Sequence, residues 1–328
     1  MFSLGTTIAP AKLAMARPGI VATTASTHKQ VAAPIPLAPN GFNPLDASPA
    51  QLAEYGFPPR PSRGAGLSAW TDAMRHAKYE FLSPTLSASV SSGVVSPDGA
   101  VGQTQSPRWA GYYTTQGENS NSAFTAVIGE FVVPSVPANS YYGAYSTGDP
   151  MATFWAGLGG GESGVSNAGE LAQAGVLAVS QASPSYYFFT ETSALNQLVP
   201  VRLPLAVTAG DTVYIEVWYT SGEVHYYVNN LTTGGYTPVV HTDYTVTSDS
   251  AECIGEWPYS TSAYLPDYNH TSYSACDMAT NYWSSFPGVS SYNYYQVAQW
   301  DSETRMQYPG GLAADGDSFE LYWQNILP

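Results

Sequence analysis

From Trp109 onward, apolar and polar residues trade places at every second position over short runs, and Gly, Pro, Asn and Ser separate the runs. Period-two alternation between turn formers predicts half-buried strands. Candidates are 123–133, 152–157, 171–180, 186–192, 212–220, 223–230, 236–245, 292–298 and 318–323, with a further short strand at 251–256 that Pro258 closes, since proline lacks the ladder N–H. No long helical period interrupts them. Many antiparallel strands joined by short turns imply an all-β, two-sheet antiparallel sandwich. The segment 259–288, crowded with Tyr, Ser and Asn, reads as a long loop over a groove.

Before Trp109 the pattern changes. Residues 1–45, rich in Ala, Thr and Pro, read as a flexible leader. Ser48 as N-cap, Pro49 at the first helical position, Leu52 and Tyr55 on one face and Gly56 as terminator predict a short helix. A second helix is predicted over 67–81, carrying Trp70, Met74 and His76. Residues 83–106 follow as a nearly uncharged Ser/Gly/Val/Pro linker, the kind of exposed segment a protease cuts. The organisation expected is a leader at 1–108 and a β domain at 109–328.

Composition supports this division. Charged residues are only 11% of the 328, while Tyr occurs 25 times, a palette that favours strands and turns over helices. The formal charge of -15 is unevenly spread: 1–108 carries eight Lys and Arg against five acids, a net of +3, and the remainder two Arg against twenty acids, a net of -18. Such a surface repels nucleic acid and anionic membranes. The near-absence of Lys beyond Trp109 fits a chain that works in acid, where carboxylates protonate and self-repulsion falls. No apolar run is long enough for a membrane helix, and 1–21 lacks the h-region of a signal peptide. Export is therefore expected from the acid character and from Cys253 and Cys276, which enclose 22 residues and form either a disulfide or two buried thiols. Asn230 and Asn269 begin glycosylation sequons, relevant only to a eukaryotic secretory route.

The candidate chemistry is narrow. There is no HExxH, CxxC, phosphate loop or GxSxG elbow, so no metal, nucleotide or serine-nucleophile site is expected, and no cofactor. His225 and His241 lie in strand-like runs, where ordinary hydrogen-bonded histidines suffice. In Ala251-Glu252-Cys253-Ile254-Gly255-Glu256 the alternation puts Ala251, Cys253 and Gly255 inward and Glu252, Ile254 and Glu256 on the opposite face. Two strand carboxylates reaching solvent account for that run taken alone. Gln173, between small residues in an apolar strand, has a structural amide as its plain reading.

Taken in order, Arg108-Trp109-Ala110-Gly111-Tyr112, the run Phe124 to Pro134, Phe154-Trp155-Ala156-Gly157-Leu158-Gly159, Leu171-Ala172-Gln173-Ala174-Gly175 and Ala251 to Glu256 resemble the glutamic peptidases, the eqolisins, including bacterial and fungal members. The resemblance spans about 109–325, and 44–61 resembles the leader that precedes the catalytic domain in such relatives. It implies a lectin-like sandwich of two curved sheets and an acid endopeptidase with one catalytic Gln and one catalytic Glu. By the motif, Gln173 is the amide and Glu256 the acid. Glu256 would act as general base and then general acid on water, and Gln173 would stabilise the oxyanion. Trp155 matches a groove Trp, Glu191 a carboxylate near the pair, and Trp109 is a further candidate for the substrate groove. Gly159 stands where the family often has Asp, and the aromatic run around Glu191 is reduced.

The resulting expectation is a secreted, monomeric zymogen acting on proteins or peptides. Its leader is expected to inhibit it by covering the groove, held at neutral pH by packing of Trp70, Tyr55 and Phe57 and by charge attraction that fades in acid. The competing readings on the same sandwich are a carbohydrate-binding module using Trp155, Tyr186, Tyr187 and Trp257, and a glycoside hydrolase using Glu191 and Glu256.

Overall fold

The alternation of inward and outward residues resolves into two stacked layers of strands. In the computed structural model the described residues are 35–36, 38–39, 41–77, 102–120, 122–138, 149–160, 171–192, 201–220, 222–242, 249–258, 265–281, 285–301 and 304–324. All of them lie in the unit 31–328; residues 1–30 cluster separately and fall outside this set. Residues 78–101, the Gly-rich stretch 161–170 and residues 259–264 also lie outside it, while 102–106 of the expected linker 83–106 form a strand.

With strands numbered in chain order, one layer runs β10 (Tyr236–Thr242), β9 (Glu223–Asn230), β8 (Thr212–Thr220), β3 (Ala126–Val132), β12 (His270–Ala279), β15 (Phe319–Trp323). The other runs β14 (Thr304–Pro309), β13 (Tyr294–Asp301), β2 (Trp109–Thr115), β11 (Ser250–Glu256), β4 (Met151–Leu158), β5 (Ala172–Val179), β6 (Ser185–Thr192), β7 (Val201–Arg202). These neighbours are antiparallel, and β14 pairs with β15, so the hydrogen-bonded path passes from one layer to the other without closing. β1 (Gly102–Ser106) adds on in parallel beside β13. The all-β sandwich read from the sequence is what forms.

The expected strands appear with ends shifted by a few residues. The expected loop 259–288 is corrected: it contains β12, a ten-residue strand between β3 and β15. Its Ser and Asn content hid the inward set Tyr273, Cys276 and Met278, whose spacing is broken by a register shift between Tyr273 and Ala275. A bulge of this kind defeats a strict period-two reading.

Alternate residues divide the molecule into three apolar regions. Between the layers lie Phe131, Val127, Phe154, Ala156, Val176, Val217 and Leu321 among others. The disulfide Cys253–Cys276 crosses this core from β11 to β12, with Cα atoms 6.0 Å apart, which decides between the two states left open for the cysteines. On the outer face of the second layer sit Trp109, Tyr113, Trp155, Phe189, Ile254, Tyr295 and Val297. On the outer face of the first layer lie Ile128, Tyr214, Trp218, Tyr227 and Tyr236, and there the leader packs.

The leader folds as its caps dictate. Helix α1 (Pro49–Glu54) opens with a capping box: Ser48 Oγ accepts from the Gln51 N–H at 3.3 Å, and Gln51 Oε1 accepts from the Ser48 N–H at 2.9 Å. Gly56, at φ +70°, ends it where any Cβ would meet Pro238 at 2.8 Å. Helix α2 (Ala65–His76) starts two residues earlier than predicted, and residues 78–81 of the predicted helix lie outside the described set. Phe57 rests on Tyr236 and Tyr227 at 5.0 and 5.8 Å, and Trp70 donates to the Pro58 carbonyl. The expectation that the leader lies over the groove is thus not met by residues 41–77, which cover the opposite sheet. Aromatic burial decides the docking side; no ion pair joins Arg60, Arg63 or Arg75 to the sandwich among the described residues. Arg60 is used within the leader, donating to the Pro44 and Leu45 carbonyls and lying 5.1 Å from the centre of the Trp70 ring.

Candidate active site

Strand register sets which side chains can meet on the outer face of the second layer. Tyr295 pairs with Tyr113, Tyr113 with Glu252, Glu252 with Gly157, Gly157 with Gln173, and Gln173 with Glu191. One row across six strands therefore carries two carboxylates, an amide and two tyrosines. The next row holds Gly111, Ile254, Trp155, Gly175 and Phe189. The row after that holds Trp109, Glu256, Thr153, Leu177 and Tyr187.

Gly157 gives the first row its geometry. Because β4 has a glycine here, Glu252 and Gln173 lie on either side of Gly157, about 9.5 Å apart between their Cα atoms, two strand spacings, with the edge of the Trp155 indole against the glycine. A Cβ there would meet Trp155 Cζ3 at 2.9 Å and the Ala172 carbonyl at 3.0 Å. Gly175 plays the matching part under the indole: a Cβ on it would strike Trp155 Cβ at 2.6 Å.

Each polar group is held differently. Gln173 Nε2 donates to Glu191 Oε2 at 3.2 Å, which fixes the amide, while Gln173 Oε1 has no hydrogen-bond partner among the described residues. Glu252 is fully buried, and neither of its carboxyl oxygens makes a hydrogen bond of ordinary geometry within that set. Burial pushes its pKa well above the usual carboxylate value; the Asp249 carboxyl raises it further and the Ser250 hydroxyl opposes the rise. A buried carboxyl without fixed donors is held ready to exchange a proton.

Glu256 is placed elsewhere. Its Oε2 accepts from Trp155 Nε1 at 2.9 Å, and its pKa is pushed up to about 7, by burial, against the lowering influence of Arg108, Trp155 and Trp109. Four residues along the strand and two strands across put its Cα about 16 Å from that of Gln173, too far for the two side chains to share one water. The sequence-expected partnership of Gln173 with Glu256 is thus not formed, and the Trp155 indole stands between them. Gln173 is instead brought to Glu191 and Glu252. Trp155 and Trp109 pack edge to face at 5.2 Å between the rows, so these two expected groove residues do come together. The site is also more enclosed than expected: Gln173, Glu191, Glu252 and Glu256 are all buried.

Sequence reasoning grouped Glu252 with Glu256 on one face but chose between them by motif order. Gly157 was the available signal, since a glycine beside one carboxylate and an amide leaves room for a reactant. Its register opposite Glu252 is set by tertiary pairing and cannot be read from one chain. Tyr113, stacked on Tyr295 at 4.8 Å, borders the site and was not singled out. His225 stacks on Trp218 at 4.9 Å, as an ordinary strand histidine does. Asn230 is buried and donates to Asp211, so that sequon is inaccessible in the folded chain. No cluster of three metal-ligating side chains occurs among the described residues, and no helix there is long and apolar enough to cross a membrane.

The profile of the peptidase A4 family matches residues 107–308. Among solved structures, scytalido-glutamic peptidase with a transition state analog inhibitor aligns with a TM-score of 0.52 at 15% identity, covering 66% of this chain and 98% of that one. Tailspike protein 2 of bacteriophage CBA120 aligns over 47% of this chain and 22% of its own, at 15% identity and a TM-score of 0.27. Among curated proteins none matches the sequence.

Proposed function

Because the chain belongs to the peptidase A4 family and is a glutamic endopeptidase, we propose that it cleaves proteins and peptides with Gln173 and Glu252 as its reacting pair. The observation that carries this assignment is the shared row in which these two side chains flank Gly157, a residue with no side chain of its own. In this reading the attacking water is held between the Glu252 carboxyl and the Gln173 amide. Ionised Glu252 takes a proton from that water as the oxygen attacks the scissile carbonyl. Gln173 Nε2, oriented by Glu191, donates to the oxyanion that forms; one such donor contributes about 3–4 kcal/mol to the transition state. The protonated Glu252 then passes its proton to the leaving nitrogen, which breaks the C–N bond and restores the carboxylate.

Glu256 in this reading is a positioning residue that anchors Trp155, and Trp155, Trp109 and Tyr113 shape the wall against which substrate side chains lie. The glycosidase reading has less to stand on, since Glu191 is engaged with Gln173 and Glu256 lies two rows away. Work in a weakly acidic extracellular setting is proposed from the acidic charge and from the disulfide, which persists in oxidising compartments.

The test is digestion of an unfolded protein in ¹⁸O-water between pH 3 and 7. New C-termini should carry the label with the parent chain and be lost with Glu252→Gln. Undiminished cleavage by Glu252→Gln would remove the assignment.

A further inference from the structure

The outer face of the first layer is aromatic, and the leader alone covers it among the described residues. Ile128, Tyr214, Tyr227, Tyr236 and Trp218 have between 0% and 5% exposure with the leader in place. Exposing a contiguous patch of this kind on a water-soluble surface invites association or aggregation. The leader's own Phe57, Trp70, Ala73 and Met74 are equally buried in the same cluster.

The fit is that of an interior. Gly64 and Gly66 approach so closely that added Cβ atoms would lie 2.3 Å from the Phe286 carbonyl oxygen and 2.4 Å from Phe286 Cβ. Main-chain bonds run both ways across the junction, Gly66 N–H to the Phe286 carbonyl at 3.2 Å and Phe286 N–H to the Arg63 carbonyl at 3.3 Å. The buried Asn229 amide donates to the Ala73 carbonyl at 3.0 Å, so removing the helix leaves that amide N–H without this acceptor. The segment is thus built in by close packing of the kind found in protein interiors.

We propose that residues 42–77 are a permanent part of the catalytic unit, and that cutting the connecting segment 78–101 yields a two-piece enzyme in which the leader piece stays bound to the first layer. The surface it occupies is therefore a subunit interface, and its partner is this chain's own N-terminal piece. This does not depend on which acid performs catalysis.

A recognition site for a sequence-specific protease, introduced between residues 83 and 100 of the full chain, tests it. After complete cutting of the folded protein, gel filtration under native conditions with mass spectrometry of the peak should show both pieces eluting together, with activity within twofold of the uncut protein. Phe57→Ala with Trp70→Ala in the cut protein should speed release of the leader piece at least tenfold, while the same double variant left uncut retains it by its covalent tie. Separation of the leader piece from a monomeric, active remainder would overturn the proposal, as would release unaffected by the double substitution.

Discussion

Glu252 and Gln173 sit on strands separated by one, in register through Gly157, which adds no side chain of its own and lies against the edge of the Trp155 indole. Replacing Glu252 by Gln should lower kcat/KM by at least about 10³-fold, within the range for loss of a general acid–base. Gln173→Ala should cost about 10²–10³-fold, mostly in kcat. Glu256→Gln, which keeps a polar acceptor for the Trp155 indole, should cost less than tenfold and act chiefly on KM. Steady-state kinetics on one peptide with all three variants checks the order; a larger loss for Glu256→Gln than for Glu252→Gln would reverse the roles.

The pH profile separates the same two acids. The base must be ionised, and burial holds the Glu252 pKa above the ordinary 4.5, so activity should fall as pH drops through that raised value. Its acid limb should therefore have a midpoint above 4.5 and survive unchanged in Glu256→Gln. If Glu256 were the base, the limb would lie near its own value of about 7 and vanish in that variant.

Stability should vary with pH in the sense opposite to charge attraction between leader and sandwich. Asp72 and Ser68 of α2 face Glu130, Ser274, Asp277, Asp315 and Asp317 around a cavity of about 380 Å³, and His76 acts on Glu130 by its charge. Burial raises the pKa of Glu130; burial and the Asp317 carboxyl raise that of Asp277, and Asp317 is pushed up to about 6. Asp315, bonded to Ser318, stays low at about 2. Groups that hold protons more tightly when folded make the folded state lose stability as pH rises from their unfolded values near 4 through their folded ones. The full chain should melt at a higher temperature at pH 4.5 than at pH 7, and Asp277→Asn should flatten the difference. A midpoint that rises towards pH 7 would contradict this.

Reduction of Cys253–Cys276 should lower stability by about 3 kcal/mol, from the chain entropy a 23-residue closure removes. Native protein without reductant should show no alkylatable thiol, and Cys253→Ala with Cys276→Ala should show a lowered thermal midpoint. Full alkylation of the untreated native protein would exclude the bond.

What could be read from the chain followed from local chemistry. Ser48, Pro49 and Gly56 delimit α1 because a cap, a fixed φ and a positive φ act within one turn. The alternation in 251–256 correctly put Cys253 inward and Glu252, Ile254 and Glu256 outward. What escaped the sequence was long-range. Partnership between Glu252 and Gln173 depends on the register of three strands, and a slip of two residues on β11 would have put Ile254 in its place. The docking side of the leader was misread: packing of Trp70 and Phe57 was foreseen, but neither net charge nor the leader's own sequence says which face holds the matching rings. β12 was lost to a bulge that shifts its inward set by one residue.

The disulfide joins two residues that each have a functional neighbour. Cys253 follows Glu252 in the chain, and Cys276 lies between Ala275, which is packed under the leader, and Asp277 of the acid cavity. The two outer faces of the sandwich are therefore linked by a covalent strut one residue from the reacting carboxyl at one end and one residue from the leader's seat at the other. A displacement imposed on the leader side is transmitted to the backbone of Glu252 along bonds, not through a compliant loop, so the bond acts as a mechanical tie between the covered face and the reacting one.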